Sequence, residues 1–423
     1  MEIVIIGNGI TGITAALTIR ELQPEWNITV ISGESTYHYS RPALMYIFMG
    51  HMSYQDTKPY ENGFWTEKKI NLIRDWVTGI DTGNKRLGLH KSNLKNYDKL
   101  LIATGSVPNR SGWPGQELEG VQGFYDLMDL KKLYSNVEGA KRAVIVGGGL
   151  IGVELAEMLN SRNLDVTILE KESRYWGNIL PAEESWMVER VIRKEGIDIR
   201  LETQLAEIHN DGSGRAGSVI TDKGENIQCE LVGLTAGVRP NIQLARDSGI
   251  DTNKGVLVNR GFKTNVKDIY SAGDCAEILT DDNSPNLIQQ VWYTGKKQGE
   301  CAGRIISGYD EQYEPGIWYN SAKFFDLEYQ TYGSVNLGIP GEKNLYWEHS
   351  NSLHSLRIVY TDEQVIGINV MGLRYRHKVC EDWIKEKRDI NLVLENLGDA
   401  NFDPEFHASF ETDILNKFRE CID

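Results

Sequence analysis

Two stretches of this chain carry the same short pattern, and no other feature limits the fold as strongly. Ile3-Val4-Ile5-Ile6 is a β-rich apolar run that ends in Gly7-Asn8-Gly9-Ile10-Thr11-Gly12, after which Ile13 to Leu22 reads as a helix. Ala143-Val144-Ile145-Val146 is a second such run. It ends in Gly147-Gly148-Gly149-Leu150-Ile151-Gly152, and Val153 to Asn160 again reads as a helix. The offset is 140 at each glycine (7 to 147, 9 to 149, 12 to 152) and holds for the small residues Ala16 and Ala156. The next strands correspond too: Ile28-Thr29-Val30-Ile31 and Val166-Thr167-Ile168-Leu169. Both units are β-turn-α-β with a Gly-x-Gly-x-x-Gly turn.

The chemistry of that turn is specific. Its first glycine allows the tight bend, its second lets a pyrophosphate approach the backbone, and its third lets the helix pack on the strand. A phosphate then sits at the helix N-terminus, where N–H groups and the macrodipole favour an anion. In the second copy an acid, Glu170, ends the second strand, 18 residues after Gly152. In the first copy the matching position is Ser32, and the nearest acid is Glu34, 22 residues after Gly12. A carboxylate there can accept hydrogen bonds from a ribose hydroxyl. Strand, turn, helix and acid together are the context that gives such a turn its meaning. Two dinucleotide sites on one chain suggest one fixed and one exchanging nucleotide, the arrangement of a flavoprotein reduced by a nicotinamide cofactor.

The rest of the chain is compatible with this. Its 423 residues allow two to three domains at about 150 residues each. Glycine, at 42 residues, exceeds the usual ~7%. The net charge of −15 argues against general binding to nucleic acid or an anionic membrane, which needs a basic footprint. No apolar run approaches the ~20 residues of a membrane span, and Met1-Glu2 leads straight into the first strand without the anatomy of a targeting peptide. The five cysteines, Cys229, Cys275, Cys301, Cys380 and Cys421, are widely spaced. They form neither a redox pair nor a zinc motif, so a reduced, cytoplasmic chain is expected.

Three further segments identify a resemblance. Tyr97-Asp98-Lys99-Leu100-Leu101-Ile102-Ala103-Thr104-Gly105-Ser106 closes the first glycine-rich segment, and Ala236-Gly237-Val238-Arg239-Pro240-Asn241 the second. Asp268-Ile269-Tyr270-Ser271-Ala272-Gly273-Asp274 follows. In this order they resemble the flavin-dependent pyridine-nucleotide disulfide oxidoreductase superfamily over essentially the whole chain. Tyr37-His38-Tyr39-Ser40-Arg41-Pro42-Ala43-Leu44, Gln290-Val291-Trp292 and Lys297-Gln298-Gly299 are similar to the rubredoxin and ferredoxin reductases. They are also similar to the flavin domain of nitrite reductase large subunits and to apoptosis-inducing factor.

The resemblance implies FAD at Gly7, Gly9, Gly12 and Glu34, and NAD(P)H at Gly147, Gly149, Gly152 and Glu170. Thr104, Gly105, Gly237 and Gly273 would complete the cofactor sites. It also implies that Asp274 binds the ribityl chain or pyrophosphate of FAD, that Arg41 lies near the pyrophosphate and Val77 near the adenine. Glu154 would stand near the nicotinamide–flavin contact, and Trp292 beside the isoalloxazine or nicotinamide ring. On residue type alone Asp274 could instead cap a helix, Arg41 make a surface ion pair, Trp292 pack in a core and Glu154 face solvent. NADH is expected over NADPH because Glu170 would repel a 2′-phosphate, although Lys171 and Arg174 stand close by.

Departures from the family pattern are equally informative. Pro42 stands near the position where members with a single reactive thiol carry cysteine, and no cysteine precedes Cys229. Thiol chemistry is therefore disfavoured, and Cys275 reads as a packing residue. Tyr46 replaces a flavin-contacting lysine of many relatives. His38 lies beside the flavin segment. His349 and His354 read as solvated loop residues, and no metal site is expected.

The fold class expected is α/β: two Rossmann-like three-layer nucleotide-binding domains plus an α+β C-terminal domain. FAD binding would use 1–112 and 241–312, NAD(P)H binding 113–240, and a C-terminal interface domain 313–423. In the last, 321–335, 356–360 and 365–370 read as antiparallel strands, followed by helices at about 376–388 and 409–420. Its tail beyond Asp389 looks longer than usual, and such a domain could support a homodimer. Electrons would pass to a partner protein or small acceptor. Three readings stay open: an NADH-dependent reductase of an acidic carrier such as rubredoxin or ferredoxin, a flavin enzyme using oxygen, a quinone or another small acceptor, and a non-catalytic redox sensor. The charge of −15 weighs against an acidic carrier unless a basic patch intervenes.

Overall fold

The computed structural model describes residues 1–280, 284–402 and 408–422. The chain divides into two compact units. The first comprises Met1–Ser111, Gln122–Glu138 and Thr235–Pro315; the second comprises Gly112–Val121, Gly139–Leu234 and Gly316–Asp423.

The first unit is built on a five-stranded parallel sheet in the order Ile269–Ser271, Lys99–Ile102, Glu2–Ile6, Asn27–Ser32, Ile70–Arg74. Ile3, Val4, Ile5 and Ile6 are all buried. A strand covered on both faces reads as a continuous apolar run, not an alternation, and this is why the segment is so uniformly aliphatic. Helix Ile10–Leu22 covers the sheet with Ile13, Ala16 and Ile19. Helix Trp292–Ile306 crosses it closely, because Gly295, Gly299 and Gly303 recur every four residues and so share one face. A Cβ at Gly299 would lie 2.5 Å from the Thr11 carbonyl oxygen, so only glycine permits that approach. Strands Ser106–Pro108 and Val238–Pro240 pair antiparallel where the chain leaves and re-enters the unit. Helix Leu127–Asn136 is capped by the Asp126 carboxylate, which accepts the N–H groups of Met128 and Asp129 at 2.8 and 2.9 Å.

The second unit holds the second parallel sheet, with Asp198–Arg200, Asp165–Leu169, Arg142–Val146 and Leu231–Leu234 side by side. It also contains an antiparallel five-stranded sheet in the order Tyr319–Phe324, Leu327–Gly333, Gln364–Met371, Ser355–Thr361, Lys343–Glu348. The segment 321–335, expected as one strand, is a hairpin that turns at Phe325, whose φ is 55°. Strand Lys343–Glu348 went unanticipated because only Leu345 and Trp347 in it are buried. Helices His377–Lys385 and Glu411–Ile422 follow, separated by the short helix Ile390–Glu395. Buried Arg357 ties helix Ala182–Lys194 to this sheet, donating to Glu184 at 2.8 and 2.9 Å and to Glu183 at 2.7 Å. Both parallel sheets therefore carry a βαβ repeat, and the α/β class with a strand-rich C-terminal region holds. Among the described residues, no helix is long and apolar enough to cross a membrane.

Candidate nucleotide-binding sites

The two glycine turns share one backbone design. Gly7 and Gly147 have φ of 110° and 104°, a region that favours glycine. Gly7 N–H donates to Ile31 O at 2.8 Å and Gly147 N–H to Leu169 O at 2.9 Å. A Cβ at Gly12 would fall 2.0 Å from the Gly7 carbonyl oxygen, which accounts for the third glycine of the first turn. Gly9 and Gly149 differ from these: nothing lies within 4 Å of a Cβ placed on either. Each is the N-cap of its helix, each is extended, and neither helix has a side-chain cap or an acid in its first turn. Two helices thus begin without a side-chain cap, on glycines that face open space. The Asp126-capped helix of the first unit shows the alternative. This cradle fits a pyrophosphate.

Around the first turn the structure gathers residues from distant parts of the chain. Gly273 packs on Thr11, with 2.5 Å from a would-be Cβ to the Thr11 hydroxyl, and its N–H donates to Gln298 at 2.7 Å. Asp274 accepts from the Ser106 hydroxyl at 3.0 Å, and Ser106 accepts from Gln290 at 2.7 Å. Ser106 N–H in turn donates to the Tyr125 hydroxyl at 3.1 Å. Burial pushes the Asp274 carboxyl above its ordinary value, against the hydrogen bond from Ser106. Thr104 and Gly105 lock the crossing strands: the Thr104 hydroxyl donates to Asn241 O at 2.7 Å, and Gly105 O accepts from Asn241 N–H at 2.9 Å. Gly237 lies in the same unit, at the turn into strand Val238–Pro240, where its carbonyl accepts Asn109 N–H at 3.0 Å.

Arg41 donates to Glu34 at 2.8 Å and to Tyr125 O at 2.9 Å, with its guanidinium over the Tyr125 ring at 4.6 Å. Glu34 also accepts from the Tyr39 hydroxyl and from Leu127 N–H. Burial pushes the Glu34 carboxyl up, but Arg41, Tyr39 and Leu127 more than offset this and hold it below its ordinary value. His38 is buried, and its Nδ1 lies 2.8 Å from Asn8 O, an acceptor, so Nδ1 carries the proton. Burial lowers its pKa, so it braces the turn as a neutral imidazole. Val77 packs at the edge of the core formed by Val4, Ile31 and Leu87. Trp292 is the first residue of its helix and is 39% exposed.

Around the second turn the arrangement is more compact. Glu170 is buried and accepts Gly148 N–H at 2.9 Å and Glu172 N–H at 3.1 Å. The fully buried Tyr175 ring lies beneath Gly148. Glu154, half-buried on the adjoining helix, neighbours Glu157, which pairs with Lys323 at 2.8 Å. Burial first and Glu157 second push Glu154 up to about 7, while Lys323 opposes them.

Tyr125 and Tyr175 carry no motif and escaped sequence reasoning, and Asn8, a variable position inside the first glycine turn, gave no sign of its bonds to Ser35 and His38. Lys171, beside Glu170, is paired with Glu172 at 3.6 Å. His349 and His354 are half-buried, because both rings pack against Phe410 at 5.0 and 4.8 Å, while their polar bonds to Asn351 are exposed. Cys229, Cys275, Cys301 and Cys380 are buried and unpaired, and burial pushes Cys229 and Cys301 up to about 12. No group of three His, Cys, Asp or Glu among the described residues could hold a metal ion.

Two βαβ units with open glycine turns define a class of dinucleotide-dependent redox proteins. Residues 1–298 match the pyridine nucleotide-disulphide oxidoreductase family, and the chain belongs to it. It is 31% identical over 393 residues to nitrite reductase [NAD(P)H] of Bacillus subtilis, covering 92% of this chain and 48% of that one. The chain thus spans about half the length of that relative. It is 29% identical over 395 residues to NADH oxidase of Methanocaldococcus jannaschii, with 88% of each chain covered. A ferredoxin reductase from Rhodopseudomonas palustris has the same fold, with a TM-score of 0.81 over 99% of both chains at 21% identity.

Proposed function

We propose that the chain is an FAD-dependent NADH oxidoreductase that delivers electrons to an external acceptor without an active-site thiol. The observation that carries this reading is the pair of uncapped glycine turns; the thiols among the described residues, Cys229, Cys275, Cys301 and Cys380, are all buried, and burial pushes Cys229 and Cys301 up, away from thiolate formation. In this reading 1–112 and 241–312 hold FAD, 113–240 hold NADH, and 313–423 serve as interface domain.

When bound, FAD would accept a hydride from NADH and release electrons onward. The chain's own residues bind and orient. The open N–H groups at Gly9 and Gly149 take the two pyrophosphates. Arg41 supplies positive charge to the first. Asp274, fixed by Ser106, orients the sugar-alcohol chain or pyrophosphate. Thr104, Gly105, Gly237 and Gly273 keep the backbone close, and Val77 borders the adenine. Trp292 offers an exposed ring to a stacked flavin or nicotinamide. Glu154 holds or releases a proton near neutral pH. Glu170 favours NADH over NADPH.

The acceptor is a small redox carrier such as rubredoxin or ferredoxin in the first reading. Full-length similarity to a protein named NADH oxidase favours a second, in which a small acceptor such as oxygen or a quinone reacts directly. Anaerobic titration with NADH, followed by mixing with each acceptor, tests both. Bleaching of a yellow protein by NADH and rapid reoxidation by a carrier is expected. A colourless purified protein, or one reduced at least tenfold better by NADPH, overturns the corresponding part.

A further inference from the structure

The first site lacks the acid that the second possesses. Ile31 and Leu169 occupy the same place in the two sheets, opposite Ile6 and Val146, so the structural counterpart of Glu170 is Ser32. Glu34, the nearest carboxylate, is already committed. Its two oxygens accept from both terminal nitrogens of Arg41, from the Tyr39 hydroxyl and from Leu127 N–H. Three of these bonds fall on Oε1, which is saturated, and one, from Arg41, on Oε2, so most of the carboxylate's accepting capacity is turned to protein donors. Glu34 thus chiefly positions Arg41, which leaves room for another group to contribute to recognition at the end of strand Asn27–Ser32, where the adenosine half of a dinucleotide lies.

One residue stands there. A Cβ on Gly33 would lie 2.2, 2.3 and 2.6 Å from Cδ2, Cε2 and Cε3 of Trp76. Such even distances mean that the Gly33 backbone points into the face of the indole. Trp76 is nevertheless 51% exposed, so much of the ring remains open. It is also held firmly. Buried Asp75 accepts the N–H groups of Trp76 at 2.8 Å, Ser92 at 2.8 Å and Lys91 at 3.1 Å, and Asp75 N–H donates to Ser32 O at 3.1 Å. A large apolar ring fixed by its neighbours and left half in water is poorly explained by packing alone.

We propose that Trp76 is the adenosine-binding residue of the first site, an indole platform standing in for the missing carboxylate, with Gly33 making room for it. The inference rests on the reading that the first site takes FAD. Stacking on a flat base face is tolerant of orientation and does not need the ribose hydroxyls.

The test uses the full chain, freed of flavin and titrated with FAD or with FMN, which lacks the adenosine half. Trp76→Ala should weaken FAD about tenfold or more, as loss of a base-stacking aromatic does, and leave FMN affinity unchanged. Trp76→Phe should stay within about threefold of the parent. Gly33→Ala should mimic Trp76→Ala by displacing the indole. Indole emission should be quenched by FAD in the parent and markedly less so in Trp76→Phe. Unchanged FAD affinity in Trp76→Ala, or equal loss of FAD and FMN, overturns the proposal. A parent chain that binds neither flavin overturns the functional reading itself, and the proposal with it.

Discussion

The two glycine turns share their backbone conformation and differ in the chemistry around it. In both, the first glycine is left-handed and tied to the second strand, and the helix begins uncapped. In the second copy a strand-end acid, Glu170, grips the turn itself through Gly148 N–H. In the first copy the turn is gripped by side chains instead: Asn8 donates to Ser35 O at 2.8 Å, and His38 donates to Asn8 O. The nearby acid, Glu34, has become the anchor of Arg41. The repeat thus preserves what the backbone needs to bend and approach a phosphate. Around that backbone the side chains diverge: an acid holds the second turn, and an Arg41–Glu34 pair lies beside the first.

The largest effects should separate the copies outright. Gly9→Val and Gly149→Val each add a side chain where nothing lies within 4 Å, so both variants should fold with the parent's melting temperature. Gly9→Val should lose bound flavin. Gly149→Val should stay yellow and raise the KM for NADH about 100-fold, the equivalent of two lost charged hydrogen bonds. Flavin loss in both, measured by absorbance of the purified proteins, would break the assignment of one nucleotide to each copy. Gly7→Ala differs from both. Its Cβ would lie 2.1 Å from the Ala103 carbonyl oxygen at a φ of 110°, and the variant should unfold or fail to accumulate.

Next come the two acids. Glu170→Ala leaves buried Gly148 N–H without its partner. It should raise the KM for NADH about tenfold, from a loss of roughly 1–3 kcal/mol, and narrow the preference over NADPH while leaving flavin content intact. Glu34→Gln should weaken FAD by releasing Arg41. In an Arg41→Ala background the same change should add almost nothing, because the two act as one unit. Additive losses would mean that Glu34 touches the nucleotide independently.

How much of this could be read beforehand follows from which interactions are local. The glycine turns, their strands and their helices were legible, since apolar periodicity and backbone freedom are written in consecutive residues. Glu170 was legible because it ends a strand at a fixed distance. The partner of Glu34 was not: its commitment to Arg41 depends on how the 37–44 segment folds back and on Leu127, 93 residues away. Trp76 was hidden for a related reason, since nothing in a single exposed tryptophan announces a contact with Gly33. The hairpin at Phe325 escaped because its turn lacks glycine and proline, the usual punctuation of a bend.

The smallest effect concerns an ionisable group that the first copy lacks. At the 140-residue offset Glu154 corresponds to Thr14, which packs against Gly299 in a helix crossing. Glu154 instead sits half-buried beside Glu157, and its pKa is raised from 4.5 to about 7. A carboxyl whose folded-state pKa is raised contributes stability that is fully present below about pH 4.5. That contribution is lost as the pH rises through 7. Glu154→Gln removes this dependence. Parent and variant should melt together at pH 4.5, and the variant should be more stable at pH 8 by about 1–2 kcal/mol, a rise of roughly 2–4 °C. Thr14→Ser, the matched change in the first copy, should show no such pH dependence. If NADH affinity in the parent also steps near pH 7 and the step vanishes in Glu154→Gln, the proton on Glu154 is felt by the nicotinamide. If the melting curves diverge while NADH affinity stays flat with pH, Glu154 belongs to the architecture of the second copy and not to its site.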